Sequence, residues 1–442
     1  MIISLLFHGD MLKYGSMENV LNKSWYRLDT AGLIFPATMD VNWSNVFRLS
    51  ATLTEEIDAV VLQKAVDDLK DRFPSFYVSL HNGFFWCYLQ QTKTSPIVKE
   101  DYAYPLTYMS RFEVRNSCLR VFYYKNRIAV EIFHCVSDGN GGKVYLATLI
   151  AHYCKLKYNL DCPTNENVLD ITVKPTEEEL EDSFKRYTNT YPASRQEEDT
   201  FQLKGHKVKD SFHTLTTGIL DTEILHQTAR EYNCTITSFL ASVMCISLIK
   251  MQNKVIYHNQ QKAIKITIPV NMRKIFGSKT LRNFVLTVNI GVNPRKGDYS
   301  LQQICKEFSH QLAYETSKQN MASRIAANVL PQRNPLIKIA PLGLKNVVMN
   351  AVYRSTGEKK GCLNISNLGV INLPKELQPY VKRFEFIIGP QKSYPNNCSV
   401  SSYGGKTYIN MIRNIKESEL ERLFFSTLVE LGIPVEIECN RR

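Results

Sequence analysis

The sequence predicts an α/β protein of two lobes with mixed sheets. Three observations lead to it. The chain has 442 residues, beyond the about 250–300 that a single core usually organises. Runs with strand and helix periodicity alternate from Val46 to Glu438, and the order strand, helices, strands, helix in the first half is roughly replayed after Gly205. The third observation is a junction. A β-rich run, Arg127 to Phe133, stops at His134, and Cys135-Val136-Ser137-Asp138-Gly139-Asn140-Gly141-Gly142 follows before a helical pattern near Lys143. A side chain at the end of such a strand is rigidly held yet able to face a cavity. The glycines admit backbone angles and close approaches that a Cβ would forbid.

Trp25-Tyr26-Arg27-Leu28-Asp29-Thr30-Ala31-Gly32 opens the ordered body and reads as an N-terminal helix packed on the core. Val46 to Leu53 alternates as a strand, with Phe47, Leu49, Ala51 and Leu53 on one face. Thr54 to Lys70 reads as a helix, with Thr54 as N-cap and acidic residues in the first turns. Phe76 to Leu80 and Gly83 to Leu89 form a hairpin around His81-Asn82-Gly83. Leu119 to Tyr124 and Ile128 to Phe133 form a second, turned by Lys125-Asn126-Arg127, which leads into the central motif. Helix Lys143 to Lys157 follows.

Asn165 to Gly205 is charged, carries Pro175 and Pro192, and reads as a linker with one short helix at Thr176 to Tyr187. The second half opens with strand Thr214 to Leu220 and helices Asp221 to Tyr232 and Thr237 to Met251. Strands Ala263 to Val270 and Phe284 to Val292 precede a long helix, Tyr299 to Asn328, and another at Leu336 to Tyr353. Cys362 to Ser366 is a strand. Arg383 to Ile388, Ser399 to Ser402 and Lys406 to Ile412 read as antiparallel strands, closed by helix Glu417 to Leu431 and strand Val435 to Glu438. The expected division is a lobe over residues 1–175, a crossover over 176–205, and a second lobe over 206–442.

Hydrophobic content of 44 % and charge of 22 % are ordinary for a globular protein and exclude a disordered chain. Net charge is +12, but no run of five or more Lys/Arg exists, so the balance suits a cleft for an anionic ligand rather than a nucleic-acid surface. The 11 cysteines are odd in number and form no C-x-x-C pair, which argues against a zinc site or disulfide framework and for reduced thiols in a cytoplasmic protein. Met1 to Phe7 lacks a basic n-region, and the apolar run Phe239 to Ile249 is short of a membrane span. Met1 to Ser16 reads as an extension, with Met17 an alternative start.

At His134-x-x-x-Asp138-Gly139 the sequence resembles the CoA-dependent acyltransferase superfamily: chloramphenicol acetyltransferase, plant BAHD enzymes, alcohol acetyltransferases and the condensation domains of peptide synthetases. The resemblance implies two chloramphenicol-acetyltransferase-like lobes with a tunnel between them. It makes His134 the general base, and Asp138 with Gly139 structural supports of the site. Condensation domains usually carry two successive histidines, and here the first of those positions is Phe133, which points to a stand-alone acyltransferase. The Trp25 to Gly32 segment is similar to one that Firmicute-type alcohol acetyltransferase relatives place at the tunnel entrance.

Pro269-Val270-Asn271-Met272-Arg273 is similar to a BAHD strand end whose arginine pairs with the motif aspartate. This makes Arg273 the partner of Asp138, in two-pronged geometry, with Arg282 as runner-up. Ile365-Ser366-Asn367-Leu368-Gly369 resembles a tunnel-floor turn, from which Ser366 and Asn367 could donate to an oxyanion; a strand-end turn capped by the Asn is the alternative. Tyr403 and Tyr408 are candidates for the acceptor pocket. Cys135 adjoins His134, but adjacent strand residues point to opposite faces and cannot pair as nucleophile and base. No metal site is patterned around His134 and Asp138.

The implied activity is transfer of an acyl group, acetyl first, from a CoA thioester to an alcohol or amine, with acyl-CoA as co-substrate and no bound cofactor. Two alternatives stay open: a condensation-type enzyme using a carrier-protein-bound donor, and a non-catalytic relative that keeps the fold as a binding module.

Overall fold

The strand that delivers the motif, Arg127–Phe133, is sandwiched on both faces and lies at the centre of a five-stranded sheet. Its order is Val381–Ile388, Val46–Leu53, Arg127–Phe133, Leu119–Tyr124, Val98–Glu100, antiparallel except for the last pair. Ile128, Val130 and Ile132 are fully buried. Between them on the other face, buried Glu131 receives Arg48 at 3.1 Å and Arg120 at 3.0 Å, so that the one carboxylate in the run is paired. The structure is a computed structural model that describes residues 24–40, 45–194, 196–208, 212–255, 257–357, 359–391 and 394–441. The extension read at Met1 to Ser16 lies outside the described residues.

A seven-stranded mixed sheet holds the second core. Its order is Val285–Val292, Ile264–Asn271, Leu363–Val370, Asn396–Tyr403, Lys406–Arg413, Thr214–Asp221, Glu436–Cys439, and Leu363–Val370 is parallel to both neighbours. Helix Ile236–Val255 is long and apolar enough to cross a membrane by length and composition, yet most of it is buried, with Phe239, Met244 and Leu248 in that core. A three-stranded sheet of Trp25–Arg27, Cys87–Gln91 and Val78–Asn82 sits beside the first core.

The expected boundary assigned every residue after 206 to one lobe. Strand Val381–Ile388 nevertheless pairs with Phe47 to Leu53 in the first sheet and adds Phe384 and Phe386 to the first core. Its carbonyls are also claimed from the second sheet. Ser399 Oγ donates to Phe386 O at 2.7 Å, and Ser401 Oγ to Phe384 O at 3.1 Å. The strand is therefore not the antiparallel neighbour of Ser399 to Ser402 that the sequence suggested; it links the two sheets.

Other elements differ from expectation for local reasons. Trp25–Arg27 is a strand, held by Tyr26 opposite Leu89, and not a helix. The helix read from Thr54 starts at Ala59, because Asp58 Oδ1 accepts from Val60 N and Val61 N and caps it there. The long helix from Tyr299 divides into Leu301–Glu315 and Lys318–Arg333, with Ser317 capping the second at Asn320 N. The linker helix divides into Glu177–Leu180 and Ser183–Arg186, because Glu181 between them is extended.

The helix after the motif begins at Gly139, four residues earlier than its apolar pattern. The glycines read as a turn are its first turn, and none of Gly139, Gly141 and Gly142 has positive φ. They are there for close approach. A Cβ on Gly141 would sit 2.2 Å from both Leu281 O and Ser137 Oγ. On Gly142 it would meet Leu49 and Phe47 at 2.8 Å. Gly141→Ala should destabilise the protein by about 1–3 kcal/mol through overpacking. Gly343→Ala, where an added Cβ meets nothing within 4 Å in helix Leu342–Thr356, should gain about 0.4–1 kcal/mol. Urea unfolding of the two variants checks both signs.

Candidate active site

His134 stands one residue past its strand, and its backbone N donates to Asn45 O at 2.8 Å. Phe35 stacks on the imidazole at 4.4 Å and Phe47 meets it edge-on at 5.1 Å, which fixes the ring plane. Nδ1 lies 3.1 Å from Asn283 Oδ1. The amide orientation follows from its other contacts. Asn283 Nδ2 donates to His134 O at 2.9 Å and to Asp29 Oδ2 at 3.1 Å, both acceptors, so Oδ1 must face the ring. An oxygen there requires a proton on Nδ1 and leaves the Nε2 lone pair free. Burial pushes the imidazole pKa below its ordinary value, opposed by the negative charge of Asp138. The ring is therefore a neutral base at pH 7.

Asp29 anchors this arrangement from below. It is fully buried and accepts Gly32 N at 2.6 Å as well as Asn283, with Arg282 Nε 3.7 Å away. Burial pushes its carboxyl up to about 6, against the pull of Arg282.

Asp138 turns both oxygens to structure. Oδ1 accepts from Asn140 N at 3.0 Å and Gly141 N at 3.2 Å as the N-cap of the motif helix. Oδ2 accepts from Arg273 Nη1 at 2.9 Å and Phe284 N at 2.8 Å. The pairing of Asp138 with Arg273 is therefore present, but through one nitrogen and not in two-pronged geometry. The remaining guanidinium donors go to Thr280 O and Arg282 O, so that Arg273 gathers the loop preceding Asn283 around the motif. Arg282 turns elsewhere, to Arg27 O and Asp29. Gly139 lies under Leu368 and Phe386, 3.0–3.2 Å from where a Cβ would stand.

Asn367 lines a cavity together with Asn140, Gly141 and Arg273, and its neighbour Leu368 packs on Gly139. Asn367 Nδ2 donates to Thr237 Oγ1 at 3.0 Å and its Oδ1 accepts from Gly369 N at 2.8 Å, an Asx cap of the strand-end turn. Ser366 is half-buried and in register with Ser399. Among the described residues neither Ser366 nor Asn367 is hydrogen-bonded to His134. Tyr403 and Tyr408 pack in the first core, with Arg383 over the Tyr408 ring at 4.8 Å. The Cys135 thiol is buried and its pKa raised by that burial, so it holds its proton.

Residues of the motif line one of two cavities. One, of about 1060 Å³, is lined by Asn140, Gly141, Lys143, Arg273, Lys274 and Asn367. The other, of about 1250 Å³, is lined by Trp25, Leu28, Leu33, Trp86, Arg333 and Lys338 among others. The first is bounded by the residues just after Asp138, the second by the segment that carries Phe35. Two positioning residues escape a reading of the sequence. Asn283 follows Arg282 directly and Asp29 sits within Trp25 to Gly32, and no spacing ties either to His134.

No protein-family model matches the chain, and no curated protein matches its sequence. Solved structures do match. A trichothecene 15-O-acetyltransferase from Fusarium sporotrichioides, TRI3, aligns at TM-score 0.59 and 10 % identity over 92 % of this chain and 94 % of that one. TRI101 of F. sporotrichioides, complexed with coenzyme A and T-2, aligns at 0.60 and 10 % over 94 % and 100 %. The epimerization domain from the third module of tyrocidine synthetase B aligns at 0.52 and 12 % over 88 % and 91 %. The likeness is one of fold. The chain has the mixed α/β architecture on which the TRI3 acetyltransferase, TRI101 and this peptide-synthetase domain are built.

Loss of the Asn283 amide should release the tautomer. In ¹⁵N spectra the His134 ring is expected with a protonated Nδ1 and an unprotonated Nε2, and in Asn283→Ala as a mixture of tautomers with Nε2–H gaining. An unchanged ring spectrum in the variant would remove Asn283 from the arrangement.

Proposed function

We propose that this protein is an acyltransferase that moves an acyl group, acetyl first, from a CoA thioester to an alcohol or amine, with His134 as its general base. The orientation of one ring carries the reading: Asn283 holds Nδ1–H and leaves the Nε2 lone pair for a substrate proton. The CoA thioester is a co-substrate, and the fold shared with TRI101, a protein crystallised with coenzyme A, supports that choice. Lys143 and Lys274 at the cavity beside the motif suit the phosphates of such a donor.

In this mechanism Nε2 takes the proton of the acceptor O–H or N–H as the oxygen or nitrogen bonds to the thioester carbonyl carbon. Collapse of the tetrahedral adduct breaks the C–S bond, and Nε2–H returns the proton to the departing thiolate. Asp138, Gly139 and Arg273 hold the motif and do not exchange protons. Ser366 and Asn367 are the proposed oxyanion donors. The reading extends to a Firmicute-type alcohol acetyltransferase relative in the cytoplasm. Its lobes are 1–175 and 206–442 around a crossover at 176–205, except that 381–388 serves the first sheet. The shared fold of a peptide-synthetase domain keeps a carrier-protein-bound donor as the alternative.

Thiol release from acetyl- and longer acyl-CoAs against a panel of alcohols and amines tests the proposal. Acceptor-dependent release should fall by about 10²-fold or more in His134→Ala. Release that ignores the mutation would exclude His134 as base, and release only from an acyl-carrier protein would replace CoA as donor. The pH profile has a definite sign. Proton binding inactivates the base, and burial lowers its affinity for that proton, so the acidic limb of the rate should lie below the ordinary imidazole value of about 6.5. A limb above that value would contradict the buried, neutral ring.

A further inference from the structure

Helix Leu342–Thr356 presents an apolar stripe to solvent. Leu344, Val347, Val348 and Val352 recur at helical spacing and are all exposed, Val347 to 68 %. The opposite side of the helix is the attached one. Lys345 is buried, stands 3.5 Å over the Trp86 ring, and donates to Phe85 O and Lys338 O, while Leu342 N donates to Phe84 O. These bonds hold three apolar groups side by side. Phe84 and Phe85 protrude from the hairpin tip, and Leu336 and Ile339 from the short helix Pro335–Ile339, with Phe84 at 73 % and Leu336 at 72 % exposure. Single exposed apolar residues are ordinary, whereas eight on one face mark a contact surface.

Charge says what covers it. From Thr316 to Gly357 the chain carries six Lys/Arg and no Asp or Glu, in a protein with 42 acidic residues. Arg333, Lys338 and Arg354 lie on the exposed elements of this face, and among the described residues no carboxylate pairs with them. A second copy of the chain would set these cations against their own kind. A lipid surface bearing phosphates answers both features at once, since protruding apolar side chains enter the headgroup–acyl boundary while cations meet the anionic headgroups. We propose that the face formed by the tip of hairpin Val78–Gln91 and the helices Pro335–Ile339 and Leu342–Thr356 docks on an anionic lipid bilayer. Phe85, Trp86, Arg333, Lys338 and Ile339 also line the 1250 Å³ cavity, so docking turns that cavity toward the bilayer. Docking is a property of the surface and stands apart from the acyl-transfer chemistry.

Sedimentation of the full chain with phosphatidylcholine vesicles, with and without phosphatidylglycerol, tests this. Binding is expected only with phosphatidylglycerol present and should weaken when salt rises from about 0.1 to 0.5 M. The double variant Val347→Asp/Val348→Asp, at two exposed positions far from His134 in sequence, should bind about tenfold less or weaker while keeping the wild-type melting temperature. Absence of binding to anionic vesicles would overturn the proposal, as would binding indifferent to the double variant. So would a wild-type dimer that the variant splits, or capture by this face of a purified acidic carrier protein without any binding to vesicles.

Discussion

Much of the site depends on where the Asp138 carboxylate finds its donors. Two come from the first turn of its own helix, one from Arg273 and one from the backbone of Phe284. The carboxylate therefore ties the motif helix of the first half to a loop of the second, inside a buried environment where neither charge can be left alone. Arg273 extends the tie to Thr280 O and Arg282 O. The loop so gathered is the one that carries Asn283 to the imidazole.

The two carboxylates near the ring differ in what surrounds them. Asp138 is satisfied by four donors, one of them a guanidinium, whereas Asp29 is buried with its cation 3.7 Å away, and its pKa rises to about 6. Asp29 acts on His134 only through Asn283, as an acceptor that holds the amide the right way round. Orientation and tautomer are thus set by a neutral amide, and the ring keeps the low proton affinity that burial imposes. A carboxylate in direct contact with Nδ1 would raise that affinity.

Strand Val381–Ile388 does for the sheets what Asp138 does for the loops. It completes the first sheet by backbone pairing and receives hydroxyl groups of the second, while Phe386 packs over Gly139 and within 6.2 Å of Phe47. Gly139 is thereby compressed between elements of both halves, which is a reason for glycine that needs no unusual backbone angle.

How much of this could be read from the chain depends on the range over which each cause acts. The mixed α/β class, most strands and the His134–Asp138–Gly139 junction were legible, because periodicity, turn residues and a short motif are local; the arginine at 273 was indicated only by the resemblance of its strand end to that of a known family. Local capping corrected the helix starts at Ala59 and Gly139, since Asp58 and Asp138 outcompete the apolar pattern. The sheet to which Val381–Ile388 belongs, the single-pronged contact of Arg273, and the bonds joining Asn283 and Asp29 to His134 were decided only in the folded molecule. Asp29 and Asn283 are 254 positions apart, and Asn283 and His134 149. No periodicity spans such separations; side chains that far apart meet because two buried cores bring their loops together and leave their polar groups no other partner.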